Sequence, residues 1–254
     1  MNYEPVWGLQ GGDWPFFIRA AIKETAQARG LTANFMGRPR ACSHPAESSY
    51  FNGSHFNCSI WDAAGARNLF YDAAQPDNVS DFARHWVAGL LKNMNAMTAL
   101  LCPTVNCYRR MHRERTPSVN SWGVDNRYTT LRVKNYGPSA SYVENRVPSG
   151  LVNPYLALAA NIAAGLDGVL NRLEPPAQGR DSPEAGLMLA TLEEGLQALE
   201  RSEVMREALG ADFVAHYCCL KREGEIQELP LADMREEDNH DAFRDERDMY
   251  ARFF

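Results

Sequence analysis

The stretch that most constrains the fold is 142–176, with the sequence YVENRVPSGLVNPYLALAANIAAGLDGVLNRLEPP. Its first residues alternate, and this period of two predicts a strand with Glu144 and Arg146 on one face. Asn153 and Pro154 then predict a helix start, because asparagine caps a backbone N–H and proline has none to leave unpaired. The stretch therefore predicts a strand, a turn and a helix, with two opposite charges on one side of a sheet.

The predicted helix carries small residues along one side. Ala160, Ala164 and Gly168 recur at helical spacing, and such residues let a second backbone approach closely. A glycine inside a helix costs about 1 kcal/mol relative to alanine. We therefore expect another element to pack tightly against this side.

Length and composition restrict the class of protein. The 254 residues suit one domain, 1–254, and a net charge of −6 gives no basic surface for nucleic acid or an anionic membrane. No window predicts a membrane span or a signal peptide. The cysteines show no paired C-x-x-C spacing, which favours reduced thiols and a cytoplasmic location. They are Cys42, Cys58, Cys102, Cys107, Cys218 and Cys219.

Caps and hydrophobic spacing predict the other elements. Helices are predicted at 13–30, 80–101, 191–209, 212–221 and 241–254, and strands at 31–36, 54–61, 121–123 and 128–133. The acidic segment 223–239 is predicted to be a mobile insertion. Helices and strands in this order indicate an α+β fold.

The string NPYLALAANIAAGLDGVLNRLEP resembles the helix that closes the catalytic domain of glutamine synthetases, which in that family follows a strand of the form R-x-E-x-R. The resemblance covers essentially the whole chain, but only the C-terminal part of the family's sequence. It implies the glutamine synthetase catalytic-domain fold, an antiparallel sheet flanked by helices, truncated at the N-terminus and without the β-grasp domain. An open sheet of this kind would need a partner to cover its edges.

The resemblance also implies a chemistry. Glutamine synthetases use ATP to convert glutamate to γ-glutamyl phosphate, which ammonia then attacks, and they need Mg²⁺ or Mn²⁺ to neutralise phosphate charge. Glu4 occupies the place of the glutamate in the family's G-Q-x-E motif, His55 that of the first histidine of H-x-H, and Glu144 that of the R-x-E-x-R glutamate. These three are the implied metal ligands. Arg110, in NCYRR, and Arg146 are the implied substrate-binding residues.

The same resemblance assigns a phosphate site and a nucleotide side. Arg127 and Arg132 match the family's N-R-S-x-x-x-R pair, which implies a catalytic role at the phosphate. Their odd spacing places them on opposite faces of a regular strand, so a bulge or a strand end is needed for both to reach one site. Asn57 replaces the second histidine of H-x-H, and with Ser59 on the same face it lies on the implied cofactor-binding side.

Ordinary structural roles stand beside these assignments. A single histidine on a strand is more often a hydrogen-bonded residue than a ligand. Glu144 and Arg146 alone would form an ion pair worth little, and an arginine-rich stretch such as 109–115 is usually a solvated surface.

Departures from the family pattern weigh against catalysis. Asn57 and Tyr142 replace a histidine and an arginine of the nucleotide side. The family's G-Y-E-A-P flap is one residue shorter here, and alignment from Pro117 places Arg115 where the family has a glutamate. Reversing that charge would raise the reaction barrier.

Three functions remain open. The leading hypothesis is a catalytically inactive protein similar to the lengsin branch of the family, acting as a homo-oligomer or as a component of a larger assembly such as the cytoskeleton. An alternative is an ATP-dependent glutamate–ammonia ligase of which this chain is a fragment. A third is a binding module that keeps substrate contacts through Arg110 and Arg146 without turnover.

Overall fold

The computed structural model describes residues 4–39, 51–111, 116–229 and 240–253. The predicted flap residues 112–115 lie outside these ranges, as does Cys42. The helices are α1 (Gln10–Gln27), α2 (Asp81–Leu101), α3 (Val105–Tyr108), α4 (Pro154–Leu170), α5 (Leu192–Arg201), α6 (Glu203–Leu209), α7 (Ala211–Lys221) and α8 (His240–Phe253). The strands are β1 (Phe56–Cys58), β2 (Trp122–Val124), β3 (Leu131–Asn135) and β4 (Ser141–Asn145), and a π-helical turn spans Arg222–Ile226.

The four strands form one sheet in the order β1-β4-β3-β2. Strand β4 pairs antiparallel with β1 and with β3, whereas β2 and β3 run parallel. The prediction of an antiparallel sheet was therefore wrong for this one pair, and the sheet is mixed. Alternation of side chains shows which face is buried, but it is the same for either strand direction.

The small-residue side of α4 packs against α2, as expected. A Cβ added at Gly168 would lie 2.0 Å from the carbonyl oxygen of His85, and one added at Gly89 would lie 2.1 Å from that of Ala164. The main chains of the two helices are thus in direct contact. Around this contact lies a core in which Trp86, Met94, Leu100 and similar side chains of α2 are almost fully buried.

The predicted helix caps are present. The Ser80 hydroxyl accepts the N–H of Ala83 at 3.0 Å, and the Asn153 side chain accepts the N–H of Tyr155 at 3.0 Å. Thr191 and Glu194 form a reciprocal capping box at the start of α5. Local side-chain chemistry therefore determines where these three helices begin.

Several predicted boundaries were wrong. Helix α1 begins at Gln10 rather than at 13, and the strand at 54–61 shrinks to β1. Segment 31–36 is extended but belongs to no strand among the described residues; the Asn52 side chain binds its carbonyls instead. The helix predicted at 191–209 is broken at Ser202, whose hydroxyl accepts the N–H of Met205 and caps a new helix.

The C-terminal part differs from the predicted mobile insertion. Residues 222–226 form the π-helical turn, in which Glu225 is buried and accepts the N–H of Val105 at 2.6 Å. Residues 230–239 lie outside the described ranges. The predicted final helix is confirmed as α8, and its Glu246 carboxylate binds the Arg109 guanidinium in the core.

Two further findings concern the described residues. Their cysteines, which are Cys58, Cys102, Cys107, Cys218 and Cys219, are free thiols. None of the helices that the structure describes combines the length and the apolar character of a membrane span.

Candidate functional site

The candidate site lies on one face of the sheet, where charged side chains of neighbouring strands meet. Strand pairing places Glu144 of β4 opposite Asn57 of β1 on one side and opposite Arg132 of β3 on the other. Tyr142 and Lys134 form the next cross-strand pair on the same face. Two rows of polar and aromatic side chains therefore cross this face.

Glu144 is the centre of the site. Its Oε1 lies 2.8 Å from Nδ1 of His55 and 3.4 Å from Nη1 of Arg146, and its Oε2 lies 3.4 Å from Nη1 of Arg132. Burial by itself raises the pKa of this carboxyl, but the hydrogen bond and charge of His55 and the charges of Arg146 and Arg132 lower it to about 2. Glu144 is therefore an anion at neutral pH with cationic groups on both sides.

Arg132 contacts a second carboxylate, that of Asp125. Its Nε donates to Oδ1 of Asp125 at 3.0 Å, and its Nη2 also donates to that oxygen. The Tyr136 hydroxyl donates to the same oxygen at 2.8 Å. Burial lowers the pKa of Arg132, but its contacts with Asp125 outweigh burial and raise it; donation by Arg132 and Tyr136 lowers the pKa of Asp125.

Arg127 lies in the turn before β3 and is exposed. The pKa of the Arg146 guanidinium is lowered mainly by burial and then by the charge of Arg132. The charge of Arg127 makes a further, smaller contribution. Arg127 precedes β3, so a strand end lies between it and Arg132; their action at one site remains a prediction. Arg127, Arg132, Arg146 and Lys134 outnumber the two carboxylates, so this face is locally cationic on a chain of net charge −6.

Three residues of this face were not among the sequence-predicted site residues: Lys134, Tyr136 and Asp125. The ammonium of Lys134 lies 5.1 Å from the ring centroid of Tyr142 and 5.9 Å from that of Tyr136, which is cation–π distance. Continuing the alternation from Arg132 would have placed Lys134 and Tyr136 on this face. No comparable pattern identifies Asp125, because it follows β2 in a turn.

The guanidinium of Arg110 is buried and does not face the site as a solvent-exposed group. It is 2% exposed, and its Nη1 and Nη2 donate to the main-chain carbonyls of Val147 and Arg146 at 2.8 and 2.7 Å. Burial lowers its pKa. The side chain thus holds the chain that follows β4, and its predicted substrate-binding role remains a prediction.

The three predicted metal ligands are only partly assembled. His55 and Glu144 are in contact, whereas Glu4 is exposed, and the described residues contain no group of three or more His, Cys, Asp or Glu side chains placed to hold a metal ion. An imidazole and a carboxylate are nevertheless suitable donors, and Mg²⁺ is commonly held by one or two carboxylates together with phosphate and water. The donor types therefore fit a divalent cation, as part of a site.

The comparison with protein families agrees with this arrangement. Residues 2–239 match the model of the family described as "Glutamine synthetase, catalytic domain". The chain belongs to the glutamine synthetase catalytic-domain family. The fold and the family that the sequence predicted are thus confirmed, with the mixed sheet described above.

The relatives of this chain in the family include lengsins, glutamine synthetases and other glutamate–amine ligases. The chain is 31% identical to lengsin of Rattus norvegicus over 227 residues, which is 86% of this chain and 39% of lengsin. It is 34% identical to a glutamine synthetase of Rhizobium meliloti, covering 87% of this chain and 52% of that protein. It is 37% identical to a glutamate–methylamine ligase of Methyloversatilis universalis, covering 83% and 49%. The chain spans about half or less of these relatives.

Solved structures of the family show the same partial coverage. A GmaS–ADP complex superposes with a TM-score of 0.77 at 31% identity, covering 87% of this chain and 52% of GmaS. A structure described as a novel glutamine synthase homolog gives a TM-score of 0.80 at 26% identity, covering 97% and 55%. The described fold therefore corresponds to about half of a complete glutamine synthetase-like subunit.

Two positions where this chain departs from the glutamine synthetase pattern, Asn57 and Tyr142, lie beside Glu144. Asn57 is its exposed neighbour on β1, and Tyr142 packs under Lys134. The hydroxyl oxygen of Ser59 accepts the indole N–H of Trp61 at 3.0 Å. The predicted cofactor-binding roles of Asn57 and Ser59 remain predictions, as does the charge reversal at Arg115, which lies outside the described residues.

Proposed function

We propose that this chain is a glutamine synthetase-like protein that does not catalyse ligation by itself and that acts as a component of a protein assembly. The observation that carries the proposal is the state of Arg110. Its guanidinium is buried and donates to the main-chain carbonyls of Val147, Pro148 and Arg146, so a substrate carboxylate could reach it only if these contacts broke. Asn57 and Tyr142, beside Glu144, support the same conclusion.

The charged face would keep part of the ancestral binding capacity. Glu144 and His55 could hold Mg²⁺ or Mn²⁺, which when bound would neutralise the phosphate charge of ATP. Arg127, Arg132 and Arg146 would attract phosphoryl or carboxylate oxygens, since a guanidinium offers paired donors to such groups. Binding without turnover is consistent with this arrangement.

The test of inactivity is phosphate release by the purified chain with ATP, Mg²⁺ and glutamate, with ammonia, methylamine or isopropylamine as the amine. We expect no release above that seen with ATP alone. Glutamate-dependent release would overturn the proposal, provided that Glu144→Gln abolishes it. That variant is the matched control, because a contaminating ATPase would be unaffected by it.

An exposed apolar surface supports an assembly role. Trp7, Leu9 and Phe17, in and before α1, are 64%, 71% and 63% exposed, and large exposed apolar side chains in one segment are typical of association surfaces. Family members are generally oligomeric, so we propose that a second copy of the chain covers this surface. Light scattering should give a mass above 28.5 kDa, which Phe17→Glu should reduce; a monomeric wild type would contradict this step.

A second candidate is an active amine ligase that requires the rest of a full subunit. The observation in its favour is sequence identity: 37% and 36% to glutamate–methylamine and glutamate–isopropylamine ligases, against 29–31% to the lengsins. The intact mass of the native protein separates the two candidates. A mass near 28.5 kDa favours the inactive protein, and a mass near that of a whole subunit favours the ligase.

A further inference from the structure

The Arg132 guanidinium lies between two carboxylates that compete for it. One carboxylate oxygen of Asp125 accepts hydrogen bonds from two of the Arg132 nitrogens, Nε at 3.0 Å and Nη2. Glu144 accepts a hydrogen bond only from Nη1, at the longer distance of 3.4 Å. The stronger hydrogen bonds therefore point away from the centre of the candidate site.

Asp125 is held in place by groups other than Arg132. Its backbone N–H donates to the carbonyl of Val133 at 2.9 Å, and its carboxylate also accepts the Tyr136 hydroxyl at 2.8 Å. Its φ of 47° lies in the left-handed region, which asparagine and aspartate adopt more readily than most residues. The position of this acceptor at the end of β2 therefore does not depend on Arg132 alone.

We propose that Asp125 is a positioning residue, which holds the Arg132 guanidinium back from Glu144 and so keeps the Glu144 carboxylate available to a cation. Without the charge of Asp125, Glu144 would be the carboxylate that Arg132 contacts among the described residues. The guanidinium would then turn towards it and bind with more than one nitrogen. Glu144, already in contact with His55 and Arg146, would have less capacity left for a ligand. This inference rests on the binding capacity proposed above, not on turnover.

The test uses the full chain and the variant Asp125→Asn. Asparagine has the same shape and tolerates the same backbone conformation, so the fold is expected to persist. Mn²⁺ alone is the probe, titrated by calorimetry at fixed pH. We expect the dissociation constant to rise about tenfold, at the low end of the loss seen when outer partners of metal ligands are changed. Tyr136→Phe removes one of the groups that hold Asp125 but keeps the Asp125–Arg132 contact, so it should raise the dissociation constant less than Asp125→Asn does.

Removing Asp125 also removes a negative charge, which would weaken cation binding at a distance. A double-mutant cycle separates this effect from positioning. In an Arg132→Gln background, Asp125→Asn should lose most of its effect on Mn²⁺ affinity if Asp125 acts through Arg132. An equal effect with and without Arg132 would overturn the inference.

A second measurement does not depend on metal binding. The Nε–Hε signal of Arg132 in NMR spectra of the metal-free protein should shift in Asp125→Asn, because its acceptor loses its charge, and should shift less in Tyr136→Phe. An unchanged signal in Asp125→Asn would overturn the inference. If the wild type binds no Mn²⁺, the proposed cation binding fails, while the Arg132 signal still decides whether Asp125 positions this side chain.

Discussion

Two arginine–carboxylate clusters in this molecule have the same chemistry but different surroundings. In the core, Arg109 Nε lies 2.7 and 2.9 Å from the oxygens of Glu246, whose Oε2 also accepts the Asn106 amide at 2.8 Å; the two charged side chains are 4% and 2% exposed. On the sheet face, Arg132 and Arg146 approach Glu144 only to 3.4 Å.

The difference indicates which cluster is structural. The Glu246 carboxylate is saturated with short hydrogen bonds and shielded from water, so a ligand could enter only by replacing them. The Glu144 carboxylate is also buried, at 7% exposed, but its contacts with the two arginines are longer, and its neighbour His55 is 36% exposed. A carboxylate with long arginine contacts and a partly exposed histidine beside it is the better candidate for binding.

The largest expected effect is that of Glu246→Gln on stability. The variant leaves the Arg109 guanidinium buried without its counter-charge, and breaking a buried pair in this way costs about 3–5 kcal/mol. Urea unfolding at pH 7 measures the change, with the exposed Asp245→Asn on the same helix as the control. A loss below about 1 kcal/mol would show that the two clusters are energetically alike.

A smaller effect is expected for Glu144→Gln, and it should depend on pH. Because the folded pKa of Glu144 is lowered from 4.5 to about 2, its charge stabilises the fold fully above pH 4.5. This contribution is lost as the pH falls from 4.5 to 2. We expect the free energy of unfolding of the wild type to exceed that of the variant by about 1–2 kcal/mol at pH 7, after allowance for solvent screening.

The measurement for Glu144→Gln is unfolding of metal-free protein in EDTA at several pH values down to 2.5. The difference between wild type and variant should shrink as the pH falls. A difference that stays constant would mean that the Glu144 charge does not contribute to stability.

The smallest effect is expected for a third cluster, in which Arg222 bridges Glu193 and Glu200 at 3.0 and 2.6 Å. These side chains are 30–38% exposed, and exposed ion pairs contribute at most about 1 kcal/mol. Arg222→Gln should therefore cost no more than this, and less in 1 M NaCl, where charges are screened within about 3 Å. Unfolding measurements beside the exposed Arg206→Gln test it, and a loss as large as that of Glu246→Gln would contradict the ranking by burial.

The sequence predicted those parts of the fold that local chemistry determines. The caps at Ser80, Asn153 and Thr191 were correct because each satisfies N–H groups within one turn. The break at Ser202 and the parallel pairing of β2 with β3 were missed. The Ser202 cap is as local as the other three, but it lies inside a stretch predicted as one helix, whereas strand direction leaves no trace in the alternation of side chains.

The candidate site was predictable to a similar extent. The positions of His55, Glu144, Arg132 and Arg146 could be matched to a family pattern, and the structure brings them together. The burial of Arg110 could not be predicted, because its partners are main-chain carbonyls that have no sequence signature. Asp125 was missed because a turn residue acquires its partner only when the sheet forms.

The glycine contact between α2 and α4 determines the distance between the two helices that lie behind the site. Asn145, the last residue of β4, donates its side-chain amide to Asn161 of α4 at 3.0 Å, so the strand that carries Glu144 is tied to the helix that meets Gly89. Since only main-chain atoms separate the helices there, side-chain size does not set this distance. An added side chain at Gly89 or Gly168 would therefore separate the two helices and displace the strand that carries Glu144.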